Sequence, residues 1–170
     1  MVNPNGNLLF TTLIDLNGDG IRDALTYARN VAAPVHAFIN NKTGAFVWDD
    51  TIFIGGAPIV DNPAAPLIAD FNNDNLPDFL FPNAGYDGEP YPGAAKLLLF
   101  GTADHRLENV TVTHLNLQTA PVYASAVGDL DGDFRPDVFL AKGKFGTGTK
   151  QARYWLNRSS VLESYTPTFK

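Results

Sequence analysis

The sequence predicts an all-β protein made of three copies of one unit, and three observations support this fold class. Acidic nine-residue segments recur at residues 15–23, 70–78 and 129–137 of the 170-residue chain. Short apolar or aromatic runs, soon broken by Asn, Pro or Gly, follow each segment, as is typical of buried strands. No stretch combines helical apolar spacing with capping residues, so little helix is expected.

The acidic segments place oxygen-bearing side chains at the same four places. They read DLNGDGIRD, DFNNDNLPD and DLDGDFRPD, with Asp or Asn at the first, third, fifth and ninth residue. A hard cation such as Ca²⁺ takes about six to eight oxygen ligands, and a tight loop with oxygens at alternate residues can wrap one ion. The seventh residue is expected to offer its backbone carbonyl. The predicted ligands are Asp15, Asn17, Asp19, Ile21 and Asp23; Asp70, Asn72, Asp74, Leu76 and Asp78; and Asp129, Asp131, Asp133, Arg135 and Asp137.

Two other interpretations of these segments were weighed. A single acidic, Gly/Asn-rich stretch is often only a solvated turn, but three copies in register argue against that. An EF-hand requires Glu at the twelfth place and a helix on each side, whereas the twelfth residues are Thr26, Phe81 and Leu140. Without metal the gathered carboxylates repel one another, so the bare loops should be unstable. The metal is therefore expected to be structural.

The segments begin 55 and 59 residues apart, so the chain is predicted to be one array of three repeats, covering about residues 7–56, 57–119 and 120–170. Each repeat has one predicted strand before its acidic segment, one after it and two beyond. Four strands per repeat is typical of a β-propeller blade. The predicted strands are 8–16, 24–28, 36–40 and 45–54; 66–71, 79–81, 96–100 and 110–117; and 122–130, 138–140, 153–157 and 161–168.

The acidic loops and the hydrophobic pattern around them resemble the FG-GAP repeats, also called VCBS repeats, of integrin-type propellers and many bacterial surface proteins. The third copy carries the pattern as ASAVGD leading in and DVFL leading out. The resemblance implies a β-propeller segment of three four-stranded antiparallel blades. It also implies that a calcium loop joins the first two strands of each blade, giving about three Ca²⁺ in all. The family's usual Gly at the sixth place is present as Gly20 but replaced by Asn75 and Phe134, so the third site is expected to be distorted.

Composition excludes several classes of function. Twelve Lys and Arg against eighteen Asp and Glu give a formal charge of −6, and no basic patch is dense enough for nucleic acid. No apolar run approaches the roughly 18 to 20 residues of a membrane span. The absence of cysteine excludes disulfides and thiolate chemistry. The first residues do not resemble a signal peptide, so none is expected within this chain.

Catalytic patterns are weak. The histidines His36, His105 and His114 share no spacing with each other or with the repeats, and none of the four serines lies in a GxSxG setting. The sequence therefore predicts a protein that is not an enzyme.

One long connection, at residues 83–93, is a candidate ligand loop on the face opposite the calcium loops. Its Tyr86, Asp87, Glu89 and Tyr91 could stack on a sugar ring and bond its hydroxyl groups. Alternatively, the tyrosines pack against a neighbouring blade and the prolines shape the turn. Trp48 and Trp155 lie within predicted strands, which favours packing over a binding role.

The predicted function is that of a calcium-binding extracellular propeller module for adhesion or ligand recognition, since calcium outside cells is abundant enough to fill such sites. One alternative is a lectin that binds glycans between blades or at the 83–93 loop. Another is a non-catalytic module of a secreted hydrolase. The sequons at Asn41, Asn109 and Asn157 matter only in a secreted eukaryotic protein.

Closed propellers have about four to eight blades, and three repeats would leave two apolar faces in water. The predicted partners are further blades of a parent chain or a self-associating copy, besides a protein or glycan ligand.

Overall fold

The computed structural model describes residues 9–86, 92–115, 119, 121–142 and 152–165. In this part of the chain nearly all regular structure is strand. The elements are β1 (Leu9–Ile14), β2 (Asp23–Ala28), β3 (Ala32–Pro34), β4 (His36–Asn40), β5 (Phe46–Trp48), β6 (Phe53–Ile54), β7 (Ile59–Asp61), β8 (Leu67–Ala69), β9 (Asp78–Phe81), β10 (Leu97–Gly101), β11 (Leu107–Asn109), α1 (Thr111–His114), β12 (Val122–Gly128), β13 (Asp137–Lys142), β14 (Arg153–Arg158) and β15 (Val161–Tyr165). The predicted all-β class is confirmed.

The strands form three main sheets that follow the three sequence repeats. The first sheet has the order β1-β2-β4-β5, the middle sheet β8-β9-β10-β11-β6 and the third sheet β12-β13-β14-β15. Within each sheet, consecutive strands pair antiparallel, apart from a parallel pair between β6 and β11. A small additional sheet pairs β3 with β7.

The middle sheet lies between the other two and is buried on both faces. Because side chains alternate along a strand, Phe79 and Phe81 join one apolar cluster with Leu25 of the first sheet. Leu80 lies on the opposite face, in a second cluster with Trp155 of the third sheet. Each fully buried side chain of this size contributes roughly 1.5 to 3 kcal/mol through burial, so face-to-face packing of the sheets supplies the core.

The strand predicted at residues 110–117 is wrong. The fourth strand of the middle sheet is β11, and the chain then turns into α1. The alternating Val and Thr residues favour a strand, but the Thr111 hydroxyl accepts a hydrogen bond from the Leu98 amide at 2.9 Å. The Asn109 side chain accepts another from the Thr111 amide at 3.1 Å. These local bonds replace strand pairing at this point.

The long strand predicted at residues 45–54 is also wrong, because it breaks into three pieces. Strand β5 is followed by a 3₁₀ turn at Asp50–Ile52, which Asp49 caps by accepting a bond from the Thr51 amide. The chain then leaves the first sheet, and β6 pairs in parallel with β11 of the middle sheet.

The two tryptophans differ in burial. Trp155 is 2% exposed and packs in the core, as predicted, but Trp48 is 64% exposed, contrary to the prediction. Trp48 lies on β5, the edge strand of the first sheet. Among the described residues, no helix has the length and hydropathy that crossing a membrane would require.

Candidate metal centres

The three acidic loops occupy equivalent positions in the three sheets. The first loop (residues 15–23), the second loop (70–78) and the third loop (129–137) each connect the first two strands of their sheet and run into the second of them. Each loop therefore lies at the same end of its hairpin, as the sequence predicted.

The ninth Asp of each loop is a buried anchor. Asp23, Asp78 and Asp137 are all 0% exposed. One carboxylate oxygen accepts the amide of the second loop residue, and the other accepts an amide at the end of the third strand of the sheet. The first set of bonds comes from Leu16 at 2.9 Å, Phe71 at 2.7 Å and Leu130 at 2.7 Å; the second comes from Asn40 at 2.8 Å, Gly101 at 2.9 Å and Asn157 at 2.8 Å.

These bonds were not predicted from the sequence, and they hold three strands to one carboxylate. A carboxylate has about four lone-pair positions, so each ninth Asp retains capacity to bind a cation.

The first and fifth acids are oriented by amides of the loop itself. The Asp129 carboxylate accepts bonds from Gly132 at 2.7 Å and Phe134 at 3.0 Å. The bond from Gly132 is the main cause that lowers the pKa of Asp129 below its ordinary value. Asp19 similarly has a lowered pKa because the Ile21 amide donates to it. In all three loops the seventh amide donates to the fifth acid.

The third loop brings three carboxylates to one point. Oxygens of Asp129, Asp131 and Asp137 lie within 4.8 Å of one another. Ligands bound to one Ca²⁺ at about 2.3 to 2.6 Å are at most about 5 Å apart, so the donor set fits this ion. The first and second loops have Asn17 and Asn72 at the third place, where an amide oxygen replaces a carboxylate. The carbonyls of Ile21, Leu76 and Arg135 remain predicted ligands.

Two cations contact the acidic loops and were missed at the sequence level. Arg158 lies 2.6 Å from Asp131 and 3.2 Å from Asp133, and Lys42 lies 3.3 Å from Asp19. Among the described residues, no ion pair involves an acid of the second loop. Lys42 follows the third strand of the first sheet, whereas Arg158 is the last residue of the third strand of the third sheet. The two cations lie at different distances from their loops in sequence, so no fixed spacing identifies them.

The second loop holds a strongly perturbed acid. Burial raises the pKa of Asp78 to about 7, and the nearby charge of Asp74 adds to the shift. The amides of Gly101 and Phe71 oppose it by donating to the carboxylate. Burial removes the carboxylate from water and so disfavours its charged form, and no cation pairs with Asp78 among the described residues.

This shift predicts the pH dependence of the metal-free chain. Because the folded pKa of Asp78 lies above its unfolded value of about 3.9, its contribution to stability is complete below pH 4 and is lost as the pH rises through about 7. Without calcium, the thermal midpoint is expected to be about 5 °C lower at pH 8 than at pH 5.5. Thermal unfolding of the chain freed of metal by gel filtration measures this. The Asp78→Asn variant should lose the dependence, and a midpoint that rises with pH would contradict it.

Phe134 adopts a backbone conformation that suits glycine. Its φ is +64°, and the side chain is 94% exposed. The equivalent Gly20 and Asn75 have φ of +84° and +67°. The third loop therefore keeps the left-handed backbone of the other loops at this place, while the expected distortion of its metal site stays a prediction. The strain in a residue with a Cβ is about 1 to 2 kcal/mol.

Replacing Phe134 by glycine is expected to stabilise the chain by about 0.5 to 1 kcal/mol, since relief of strain exceeds the added entropy of the unfolded glycine. Urea unfolding measures the gain. Gly20→Ala is the matched control, because no atom lies within 4 Å of the added Cβ and only backbone strain of about 1 kcal/mol would destabilise it. A loss of stability in Phe134→Gly would show that the phenyl ring packs.

The geometry of these loops agrees with a comparison against known families. Residues 15–81 match the family model of the FG-GAP-like repeat. The FG-GAP-like segment begins at the first residue of the first loop and ends at the last residue of β9, so it contains the first loop, strands β2, β4 and β5 of the first sheet and the whole second loop. The resemblance identified from the acidic loops is confirmed for these residues. No curated protein matches the chain.

The candidate ligand loop lies just beyond the FG-GAP-like segment and is only partly described. Tyr86 is 68% exposed, so the described residues cover only a minor part of its surface. Asp87, Glu89 and Tyr91 lie outside them. Behind this loop, the Lys96 ammonium is buried and donates to the carbonyls of Asn83 and Ala94, the latter at 2.7 Å.

Proposed function

We propose that each acidic loop binds one Ca²⁺ and that the ion is structural. The observation that carries this is the approach of Asp129, Asp131 and Asp137 oxygens to within 4.8 Å of one another. In all three loops the sixth amide donates to the first acid, the seventh amide donates to the fifth acid, and the ninth acid accepts the same two amides. The same places are therefore proposed to serve as ligands in each loop. Asp133 and the Arg135 carbonyl complete the set in the third loop.

The ion supplies positive charge that offsets repulsion among the loop carboxylates. The second loop has the greatest need of it, since none of its acids has a cation partner among the described residues, whereas Asp19 and Asp131 of the other loops do. In the third loop, Arg158 holds Asp131 and Asp133 and would have to release them to the ion.

Calorimetric titration of the metal-free chain with calcium chloride tests this proposal. One ion per loop is expected, with dissociation constants near those of extracellular modules, about 10⁻⁴ to 10⁻³ M. The combined variant Asp19→Asn, Asp74→Asn and Asp133→Asn keeps the shape of the loops and should bind far more weakly. An absence of calcium binding by the parent chain at several millimolar would contradict the proposal.

The chain as a whole is proposed to be a non-catalytic recognition module of β-propeller type that works outside the cell. The FG-GAP-like repeat supports a repeat module, and sites of this affinity fill only where calcium is near millimolar. Its ligand is proposed to be a protein or a glycan.

A cleft favours a glycan as the second candidate ligand. About 450 Å³ in volume, it lies between the second and third loops and is lined by Asn72, Asp133, Arg135 and Ser159, with Phe134 at its margin. Hydroxyl, amide, carboxylate and guanidinium groups beside an exposed aromatic ring suit a sugar. A glycan array probed with and without calcium, and with Phe134→Ala, tests this. Glycan binding that is unaffected both by removal of calcium and by Phe134→Ala would contradict a glycan site in this cleft.

The outer faces of the first and third sheets are proposed to pack against further sheets, from a parent chain or a second copy. Leu25 and Leu80, each two residues after its ninth Asp, are covered by the following sheet and 0% exposed. The equivalent Phe139 is 37% exposed, because no sheet follows within the described residues. Light scattering is expected to show self-association of this chain, and a monodisperse monomer with a closed compact shape by small-angle scattering would contradict it.

A further inference from the structure

Asn157 is a buried side chain that joins two sheets. It is the penultimate residue of the third strand of the third sheet and is 1% exposed. Its Nδ2 donates to the Phe71 carbonyl of the second loop at 2.7 Å, and its Oδ1 accepts the Ser160 amide at 3.0 Å. Both ends of the amide are therefore satisfied, which fixes the side chain in one orientation.

The backbone of Asn157 is fixed as well, and its bonds form a continuous chain between two loops. Its amide donates to Asp137, the ninth residue of the third loop, at 2.8 Å. On the other side, the Phe71 amide donates to Asp78, the ninth residue of the second loop, at 2.7 Å. Asp78, Phe71 and Asp137 are at most 1% exposed, so water cannot easily replace any bond of the chain.

Among the described residues, the equivalent residues of the other sheets make no such link. Asn40 also donates its amide to a ninth Asp, but its side chain bonds to the Arg22 carbonyl and the Lys42 amide, both within the first repeat. Gly101 has no side chain, and an added Cβ would meet the Pro77 carbonyl oxygen at 2.7 Å. Contact between the first loop and the middle sheet is instead made by the His105 ring, which lies against Gly18.

We propose that Asn157 is a positioning residue that couples metal binding at the second and third loops, so that an ion in one loop raises affinity at the other. This rests on the proposed calcium binding. Phe71 lies between the proposed ligands Asp70 and Asn72. The Asn157 side chain donates to the Phe71 carbonyl, and the Asn157 backbone amide donates to Asp137. Ordering either loop therefore orders part of the other, and the coupling is reciprocal by thermodynamic linkage.

Hydrogen exchange at increasing free calcium tests the coupling, because peptides covering residues 70–78 and 129–137 report the two loops separately. The midpoint is the free calcium concentration at which a peptide reaches half of its change in exchange. When Asn157 is retained, Asp133→Asn is expected to raise the midpoint of the 70–78 peptide about fivefold. Asp74→Asn is expected to raise the midpoint of the 129–137 peptide by the same factor. Asp19→Asn in the first loop should change the midpoint of either peptide less than about twofold.

Asn157→Ala is expected to reduce each fivefold effect below about twofold, whereas Asn40→Ala, the matched control, should leave both unchanged. The reciprocal pair in the parent chain tests the proposal even if Asn157→Ala does not fold. If both peptides respond to calcium but neither responds to the other loop's substitution, the coupling is refuted and calcium binding stands. If neither peptide responds to calcium, the proposed function fails and the coupling fails with it.

Discussion

Removing calcium is expected to lower the thermal midpoint of this chain by at least about 8 °C. An ion present at 10 to 100 times its dissociation constant stabilises a folded protein by about 1.4 to 2.7 kcal/mol, so three sites together contribute about 4 to 8 kcal/mol. In a domain of this size each kcal/mol shifts the midpoint by about 2 to 4 °C. Differential scanning calorimetry in 10 mM calcium, and again in excess chelator, measures the difference.

The control for this prediction is the combined variant Asp19→Asn, Asp74→Asn and Asp133→Asn. Its midpoint in calcium should lie close to its midpoint in chelator, because its loops keep their backbone bonds but have fewer charged ligands. An unchanged midpoint in the parent chain would exclude a structural role for the metal.

Replacing Asp78 by alanine is expected to cost about 3 to 5 kcal/mol, even without calcium. The substitution leaves the amides of Phe71 and Gly101 buried without an acceptor, and each orphaned buried donor costs about 1 to 3 kcal/mol. The loss of a side chain that is 0% exposed adds a small cavity. Urea unfolding of the metal-free chain measures the loss.

Asp104→Ala is the matched control, since this acid is exposed and accepts its side-chain hydrogen bond from the Thr102 hydroxyl, two residues away. The stability of this variant should stay within about 0.5 kcal/mol of that of the parent chain. Asp78→Asn keeps the size of the side chain but removes its charge. One of the two backbone amides that donate to Asp78 would then face the amide nitrogen of Asn, which cannot accept a hydrogen bond. If Asp78→Ala were as stable as Asp104→Ala, the anchoring role of the ninth acid would be wrong.

The sequence predicts the loops and the strands that flank them well, because both depend on local order. The loops are identified by the Asp or Asn residues that recur at the first, third, fifth and ninth places of each acidic segment. The apolar runs that follow the ninth Asp identify β2, β9 and β13. Because successive side chains of β9 point to opposite faces of the middle sheet, this strand packs against both the first and the third sheet.

The parts that depend on distant residues could not be predicted. The amides that complete the ninth-place anchors come from residues 17, 23 and 20 positions further on, so no constant spacing points to them. Asn157 contacts Phe71 across 86 residues, and Arg158 reaches the third loop from the last position of β14. The strand expected at 110–117 failed because the Thr111 hydroxyl bonds β10, a contact that a pattern of alternating residues does not encode.

The most direct test is a crystal structure of the chain grown in calcium, with anomalous diffraction used to identify the ion. The result expected is one peak in each acidic loop, held at about 2.3 to 2.6 Å by the first, third, fifth and ninth side chains and the seventh carbonyl. Loops with well-ordered carboxylates and only water between them would contradict the account.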